Sequence, residues 1–171
     1  MDTPDDLSIR VARLEAESAV RRLLHRYLHG IDVAATAELL ELFTADAIVE
    51  LRNFPPGSGK DRDLVGRDAI NAVYSLLTAG THRHHAANTS IVVAADAMSA
   101  DLSSYLLSTR DHNLSGGMYE GSAVRDPEDG LWRFTHWRVS SSWGWRVTGQ
   151  DEPPYLKELL AERALRGGWP P

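Results

Sequence analysis

The sequence predicts an α+β domain in which three N-terminal helices pack against a strongly curved antiparallel sheet. In the first half of the chain, apolar residues recur at steps of three and four, as on a helix with one buried face. Beyond Gly80 the period changes to two, and turn residues separate four long segments, as in an antiparallel meander. Such a sheet can wrap around the helices, so a pocket is expected between the two layers.

Three helices, a strand and a loop are predicted before Gly80. The first helix covers residues 7–31. Its apolar face consists of Leu7, Val11, Leu14, Leu24, Tyr27, Leu28 and Ile31. A second helix is predicted at residues 35–43 and a third at residues 68–77, with a strand at residues 47–51 between them. Residues 52–65 contain two prolines and two glycines, and they are therefore predicted to be loop.

Four strands are predicted in the second half, at residues 82–94, 99–111, 117–126 and 131–146. The turns between them are placed at residues 95–97, 113–116 and 126–130, where small or polar residues concentrate. Residues 1–149 are assigned to one domain. Residues 150–171 form an extension with several leucines, which is expected either to cover the open end of the fold or to pack on another subunit.

Composition and charge exclude several classes of function. The chain has 171 residues, of which 43% are hydrophobic, which suits one globular domain. Its net charge is -6, so nucleic acid is not an expected partner. It has no cysteine, which excludes disulfides, thiolate nucleophiles and cysteine-ligated metals. Neither a signal peptide nor a membrane-spanning helix is predicted, so a cytoplasmic location is expected.

Asp32 and His84 would form a proton-transfer pair if the fold brought them together. Imidazole titrates near physiological pH, and a carboxylate on its far nitrogen fixes the tautomer. The alternative is structural: Asp32 would cap the second helix near Ala35, and His84 would be a hydrogen-bonded core histidine. Tyr27 and Asp32 lie about 140° apart around a regular helix, so they share a face only if the helix loosens near Gly30.

The order of the elements and a set of motifs resemble the SnoaL-like branch of the nuclear transport factor 2-like superfamily. The motifs are Tyr27-x4-Asp32, Leu42-Phe43-Thr44-Ala45-Asp46-Ala47, Gly66-Arg67-Asp68-Ala69-Ile70, His84-His85-x2-Asn88, Gly117-Met118-Tyr119 and Leu131-Trp132-Arg133-Phe134. The resemblance covers residues 8–147. It implies a cone-shaped, cystatin-like α+β barrel, a sheet wrapped around the helices, with a mostly apolar pocket at its open end.

The superfamily includes scytalone dehydratase, bile-acid dehydratases, a hexachlorocyclohexane dehydrochlorinase, polyketide cyclases and ketosteroid isomerases. By resemblance, His84 is the general base, Asp32 orients it, and Tyr27 donates a hydrogen bond to the leaving or carbonyl oxygen. The implied activity is that of a cofactor-independent lyase or isomerase, a dehydratase or cyclase acting on a hydrophobic carbonyl compound such as a polyketide or steroid. The resemblance also implies a homodimer. The competing interpretation is a non-catalytic small subunit of a ring-hydroxylating dioxygenase, or a ligand-binding protein.

Six further residues are candidates for substrate contact. They are Asn88, Asp111, His112, Trp137, Arg138 and Trp143. Asn88 is in phase with His84 along its strand, and strand alternation lets only one of Asp111 and His112 face inward. The others lie on the last strand, which forms a pocket wall in relatives, although relatives often have an arginine in place of Trp137.

A metal site is the weaker alternative for the histidines near residue 84. His82 and His84 would point to one face of a strand, and Asp111 or His112 could add a ligand from across the sheet. Nothing in the spacing requires a metal, and the resembled enzymes need none. The sequence therefore predicts no metal and no cofactor.

Overall fold

A computed structural model of the chain describes residues 4–55, 57–80, 82–110 and 113–146. Within these ranges it contains three helices and six strands. The helices are α1 (Pro4–Val33), α2 (Thr36–Leu40) and α3 (Gly66–Tyr74). The strands are β1 (Phe43–Arg52), β2 (Arg62–Val65), β3 (Arg83–Val93), β4 (Ser99–Arg110), β5 (Asn113–Arg125) and β6 (Trp132–Arg146). The predicted α+β class is confirmed.

The strands form one curved sheet in the order β2-β1-β6-β5-β4-β3. β1 pairs with β6 in parallel, and every other pairing is antiparallel. Among the described strands, β2 and β3 are the two edges of the sheet, which wraps but does not close into a barrel. Helix α1 packs against β3, β4 and β6 and thereby covers one face of the sheet.

Helix α1 buries only the C-terminal part of its apolar face. The buried side chains are Ala16, Val20, Leu23, Leu24, Tyr27, Leu28 and Ile31, which recur at helical spacing. Leu7, Val11 and Leu14 are 57%, 43% and 65% exposed. Their predicted burial is wrong, because periodicity identifies an apolar stripe but not how much of that stripe the sheet covers.

The centre of the core is a cluster of aromatic rings between α1 and the sheet. Trp137 is fully buried, and its ring lies 5.0 Å from that of Tyr27 and 4.5 Å from that of Phe134, centroid to centroid. Tyr119 stacks on Trp137 at 5.2 Å. Large rings in edge and stacked contact combine extensive apolar burial with fixed relative orientation. This cluster therefore holds Tyr27 and Tyr119 in place at the inner end of the site described below.

The predicted loop at residues 52–65 contains a strand, β2, at its C-terminal end. β2 pairs with β1 at the edge of the sheet, where Leu51 lies opposite Arg62 and Ile48 opposite Val65. Leu64 is its one buried residue. A short polar edge strand has no clear alternation, so the loop prediction failed there. In addition, α2 is shorter than predicted and β1 begins earlier, at Phe43.

Residues 113–116 belong to strand β5 and not to a turn as predicted. A Cβ added at Gly116 would lie 2.5 Å from the ring of Trp143, and one added at Gly117 would lie 1.8 Å from the carbonyl oxygen of Ser140. These glycines therefore allow β6 to approach β5 closely. A glycine in a strand can mark such an approach as well as a reversal, and the sequence alone does not distinguish the two.

Some predictions concern residues that the structure does not describe, or properties that it does not test. Asp111, His112 and the extension of residues 150–171 lie outside the described residues. No helix within the described ranges is both long and apolar enough to cross a membrane. The homodimer and the cytoplasmic location stay predictions.

Candidate active site

The carboxylate of Asp32 binds both the ring and the backbone of His84. Asp32 lies in the last turn of α1, and His84 is the second residue of β3. The ring Nδ1 of His84 is 2.7 Å from Oδ1 of Asp32, and the backbone N–H of His84 donates to Oδ1 and Oδ2 at 3.1 and 3.3 Å. An ionised carboxylate only accepts hydrogen bonds, so Nδ1 is the donor and Nε2 of the neutral ring is the acceptor.

The capping alternative for Asp32 has no support in this geometry. The N-cap position of α2 is Ala35, and no side chain caps it. Helix α1 also continues through Gly30 to Val33, so the loosening that a shared face would need is absent. It is not required, because Tyr27 lines the cavity directly whereas Asp32 reaches the site from behind His84.

A cavity of about 580 Å³ lies between the helices and the sheet. Ile31, Leu51, Val73, Leu77 and Val139 supply much of its apolar wall. Its polar lining includes Tyr27, Tyr74, His82, His84, Ser108 and Tyr119. An apolar chamber of this size with a few convergent polar groups is the usual form of a small-molecule site.

Three phenols line the inner part of the cavity. The hydroxyl oxygens of Tyr27 and Tyr74 are 3.1 Å apart and share a hydrogen bond. Burial raises the pKa of Tyr27, partly offset by the hydrogen bond to Tyr74, and burial raises the pKa of Tyr74 and Tyr119 further above the usual range. All three phenols are therefore protonated at neutral pH and can donate hydrogen bonds.

The indole N–H of Trp137 lies beside this group of phenols. It forms no hydrogen bond of standard geometry with a described residue. Its proximity nevertheless lowers the pKa of Tyr27, against the larger effect of burial. A buried donor without a partner is uncommon, and here it adds positive potential where Tyr27 meets the cavity.

The surroundings of His84 favour its neutral form. The side chains of His84 and Asp32 are 11% and 13% exposed. Burial lowers the pKa of His84, and the hydrogen bond and charge of Asp32 oppose that effect only in part. At neutral pH the ring is consequently uncharged, with Nε2 free to accept a proton.

We expect the lowered pKa of His84 to make the protein less stable in mild acid. The unfolded chain takes up the proton at the ordinary histidine pKa of about 6.5, whereas the folded chain takes it up only at lower pH. This part of the stability is complete above about pH 6.5 and is lost as the pH falls towards the folded-state pKa of His84. Histidine NMR titration and urea unfolding between pH 7.5 and 5 would measure both quantities, using ~0.5-unit steps to resolve the window.

The control for this titration is His84→Gln, in which the loss of stability over that window should shrink. A His84 resonance that titrates above the ordinary histidine value would contradict the expected direction.

None of the four described candidates for substrate contact lines the cavity. Asn88 has φ 53° and lies where the β3–β4 pairing is irregular, because β3 has one more residue there than β4. This extra residue in β3 turns the side chain of Asn88 outward. Trp137 is fully buried behind Tyr27. Arg138 faces away from the cavity and binds the carboxylate of Glu50, and Trp143 is 46% exposed and covers Gly116.

His82 and Ser108 lie in the cavity wall, and sequence reasoning gave them no catalytic role. The rings of His82 and His84 are 4.2 Å apart, as expected for alternate residues entering one strand face. Nε2 of His82 is 2.9 Å from Oγ of Ser108, which is 6% exposed. The spacing of two residues between His82 and His84 was the sequence signal that could have placed His82 in the site. Among the described residues, no group of three or more His, Cys, Asp or Glu could hold a metal ion.

Comparison with known proteins gives one curated relative and several solved structures with this fold. The chain is 42% identical over 43 residues to terrestric acid biosynthesis cluster protein E of Penicillium crustosum, a match covering 23% of this chain and 28% of that protein. It therefore spans less than a third of that relative.

Solved structures from Novosphingobium resemble the whole fold. An NTF2-like protein of Novosphingobium aromaticivorans with a cystatin-like fold is 21% identical and covers 94% of this chain and 98% of its own, with a TM-score of 0.66. A proposed scytalone dehydratase of the same species is 22% identical, covers 81% and 92%, and has a TM-score of 0.65. The hexachlorocyclohexane dehydrochlorinase LinA-type3 of Novosphingobium barchaimii LL02 is 18% identical, covers 82% and 95%, and has a TM-score of 0.64.

At such low identity these structures establish the fold alone. The family is established by sequence, since residues 12–138 match the profile of the SnoaL-like domain. The resemblance predicted from the motifs is confirmed, and the chain belongs to the family of SnoaL-like domains.

Proposed function

We propose that this chain is a cofactor-independent lyase or isomerase that removes a proton from carbon next to a carbonyl group. The observation that supports it most is the Asp32–His84 pair at the wall of an apolar cavity of about 580 Å³. A neutral imidazole whose tautomer is fixed by a carboxylate is a general base poised near neutral pH. The substrate class is a hydrophobic carbonyl compound that fits such a cavity, such as a polyketide or a steroid-like molecule.

In the proposed reaction, Nε2 of His84 accepts the proton from carbon, and Asp32 stabilises the imidazolium that results. The negative charge moves to the carbonyl oxygen, which needs a hydrogen-bond donor. Tyr27 fits this role because burial keeps it protonated and Tyr74 holds its hydroxyl at 3.1 Å. A hydrogen bond in this apolar surrounding stabilises the developing charge more than the same bond in water.

The names of similar proteins agree with chemistry of this class. One is assigned to a terrestric acid biosynthesis cluster, one is a proposed dehydratase, and one is a dehydrochlorinase. Elimination of water and elimination of hydrogen chloride both begin with an acidic hydrogen on carbon and end with a departing group. This favours a lyase over an isomerase as the first activity to test.

The experiment that tests the proposal is proton exchange in heavy water. The full chain is incubated with aromatic β-hydroxy ketones, such as the aldol adduct of acetone and benzaldehyde, and deuterium uptake at the carbon between the two oxygen-bearing carbons is followed by NMR. Saturable exchange that exceeds the buffer rate, and that His84→Gln removes, is expected. Binding of these ketones without exchange above the buffer rate would contradict it and would favour a ligand-binding protein or an assembly subunit.

A further inference from the structure

The cavity contains a second hydrogen-bonded histidine beside the Asp32–His84 pair. Nε2 of His82 is 2.9 Å from Oγ of Ser108, and both side chains line the cavity. Ser108 lies opposite His84 in the β3–β4 pairing, so the strand register itself brings the two pairs together. The result is two histidines and one buried hydroxyl within a single patch of the wall.

Elimination from a β-hydroxy ketone requires two proton transfers at different atoms. One removes the proton from carbon, and the other gives a proton to the departing hydroxyl, which otherwise leaves as hydroxide. Once His84 has acted as base it cannot also be the donor at that moment. The phenols of Tyr27, Tyr74 and Tyr119 are weaker acids than a protonated imidazole, and burial weakens them further by raising their pKa values. A separate acid is therefore needed in the same cavity.

We infer that Ser108 and His82 form this acid, with Ser108 giving its proton to the leaving oxygen as His82 replaces it. This inference rests on the proposed function. The electrons of the C–H bond form the new C=C bond, and the C–O bond breaks with its electrons on oxygen. His84 gains one proton, the His82 imidazolium loses one through Ser108, and the products are an enone and water. A proton then passes from His84 to His82 through solvent, which restores both rings.

The short distance between the rings couples the two transfers. When His84 becomes cationic, a second cation would lie 4.2 Å away, centroid to centroid. Like charges at that separation repel in a partly buried site, so protonation of His84 favours loss of the proton from His82. The base step therefore promotes the acid step, in which the enolate expels the protonated leaving group.

A purely structural role for His82 is the competing explanation, and leaving-group chemistry distinguishes the two. The probe is the aldol adduct of acetone and benzaldehyde, compared with the acetate ester of the same alcohol. Acetate departs without being protonated, so its elimination does not need an acid. The variants are His82→Gln, which keeps a hydrogen-bonding side chain but cannot transfer a proton, and Ser108→Ala. His29→Gln replaces an exposed histidine that does not line the cavity and is the control.

For His82→Gln and Ser108→Ala we expect the ratio of water elimination to deuterium exchange to fall by roughly a hundredfold. Elimination from the acetate ester should stay within roughly threefold of the wild-type rate, as general-acid loss does not affect it. Equal losses with both leaving groups, or no loss with either, would overturn the inference while leaving the exchange reaction of His84 established. Failure of the wild-type chain to catalyse exchange would overturn the proposed function and this inference with it. If His82→Gln does not fold, the same comparison is made with Ser108→Ala alone.

Discussion

Asp32→Asn is expected to lower the rate of proton exchange by about a thousandfold to ten-thousandfold while leaving the fold intact. The carboxylate accepts a hydrogen bond from Nδ1 of His84 at 2.7 Å, which keeps the proton on that nitrogen. An amide at position 32 can instead donate its N–H to Nδ1. The proton of the neutral ring then moves to Nε2, and the nitrogen that faces the substrate is no longer a base.

Loss of the carboxylate also removes the counter-charge for the imidazolium. Asp32 raises the pKa of His84 by its hydrogen bond and by its charge, against the larger effect of burial. In Asp32→Asn the pKa of His84 should therefore fall further below its ordinary value. The same NMR titration that follows the wild-type ring measures this change, and it requires no substrate.

The matched control is Asp101→Asn, which replaces an exposed aspartate that likewise accepts one side-chain hydrogen bond, from Ser122 at 2.7 Å. It should exchange protons at the wild-type rate. The double variant Asp32→Asn, His84→Gln should be no slower than His84→Gln alone, because the two residues act as a unit. Full activity in Asp32→Asn, with its fold verified by circular dichroism, would refute the role given to the pair.

Motif resemblance and local periodicity predicted two main features of this fold from the sequence alone. The Asp32–His84 pair was reached through motif resemblance, since the two residues lie 52 positions apart and no local pattern links them. The meander of β3 to β6 followed from the two-residue period, which is a local property. Neither the prediction of the pair nor that of the meander depends on the exact residue at which a helix or strand begins or ends.

Features that depend on one inserted residue were not accessible. Asn88 is in phase with His84 by counting, yet the irregularity between Ala87 and Ser90 changes the phase and places it on the outer face. Register errors of one residue exchange the two faces of a strand. The sequence does not show which elements lie close together, and for that reason the hydrogen bonds between Tyr74 and Tyr27 and between His82 and Ser108 could not be predicted.

Gly117→Ala is expected to destabilise the protein by about 3 kcal/mol or more. The new Cβ would lie 1.8 Å from the carbonyl oxygen of Ser140 and 3.0 Å from Cα of Ser141, both of which are backbone atoms. A flexible side chain could rotate away from such a contact, but a backbone carbonyl can move only with its strand. The substitution therefore has to separate β5 from β6 in the middle of the sheet.

This separation should affect the site as well as the stability. The β5–β6 register shifts between Gly116 and Gly117, and the shift places Ser141 opposite Gly117. Ser141 lines the cavity, and its carbonyl accepts a hydrogen bond from the side chain of Asn53 at 2.7 Å. Tyr119 follows two positions later on β5 and lines the same cavity. Displacement of β6 would alter the distance between Tyr119 and the wall that carries Ser141.

Chemical unfolding of Gly117→Ala beside Gly80→Ala provides the test. No described atom lies within 4 Å of a Cβ added at Gly80, and its φ is in the ordinary range, so that variant should remain within about 0.5 kcal/mol of wild type. For a chain of this length, a loss of about 3 kcal/mol corresponds to a fall in Tm of roughly 6–12 °C. Equal stability of the two variants would mean that β6 does not approach β5 at Gly117, and the register that places Ser141 opposite Gly117 would then have to be different.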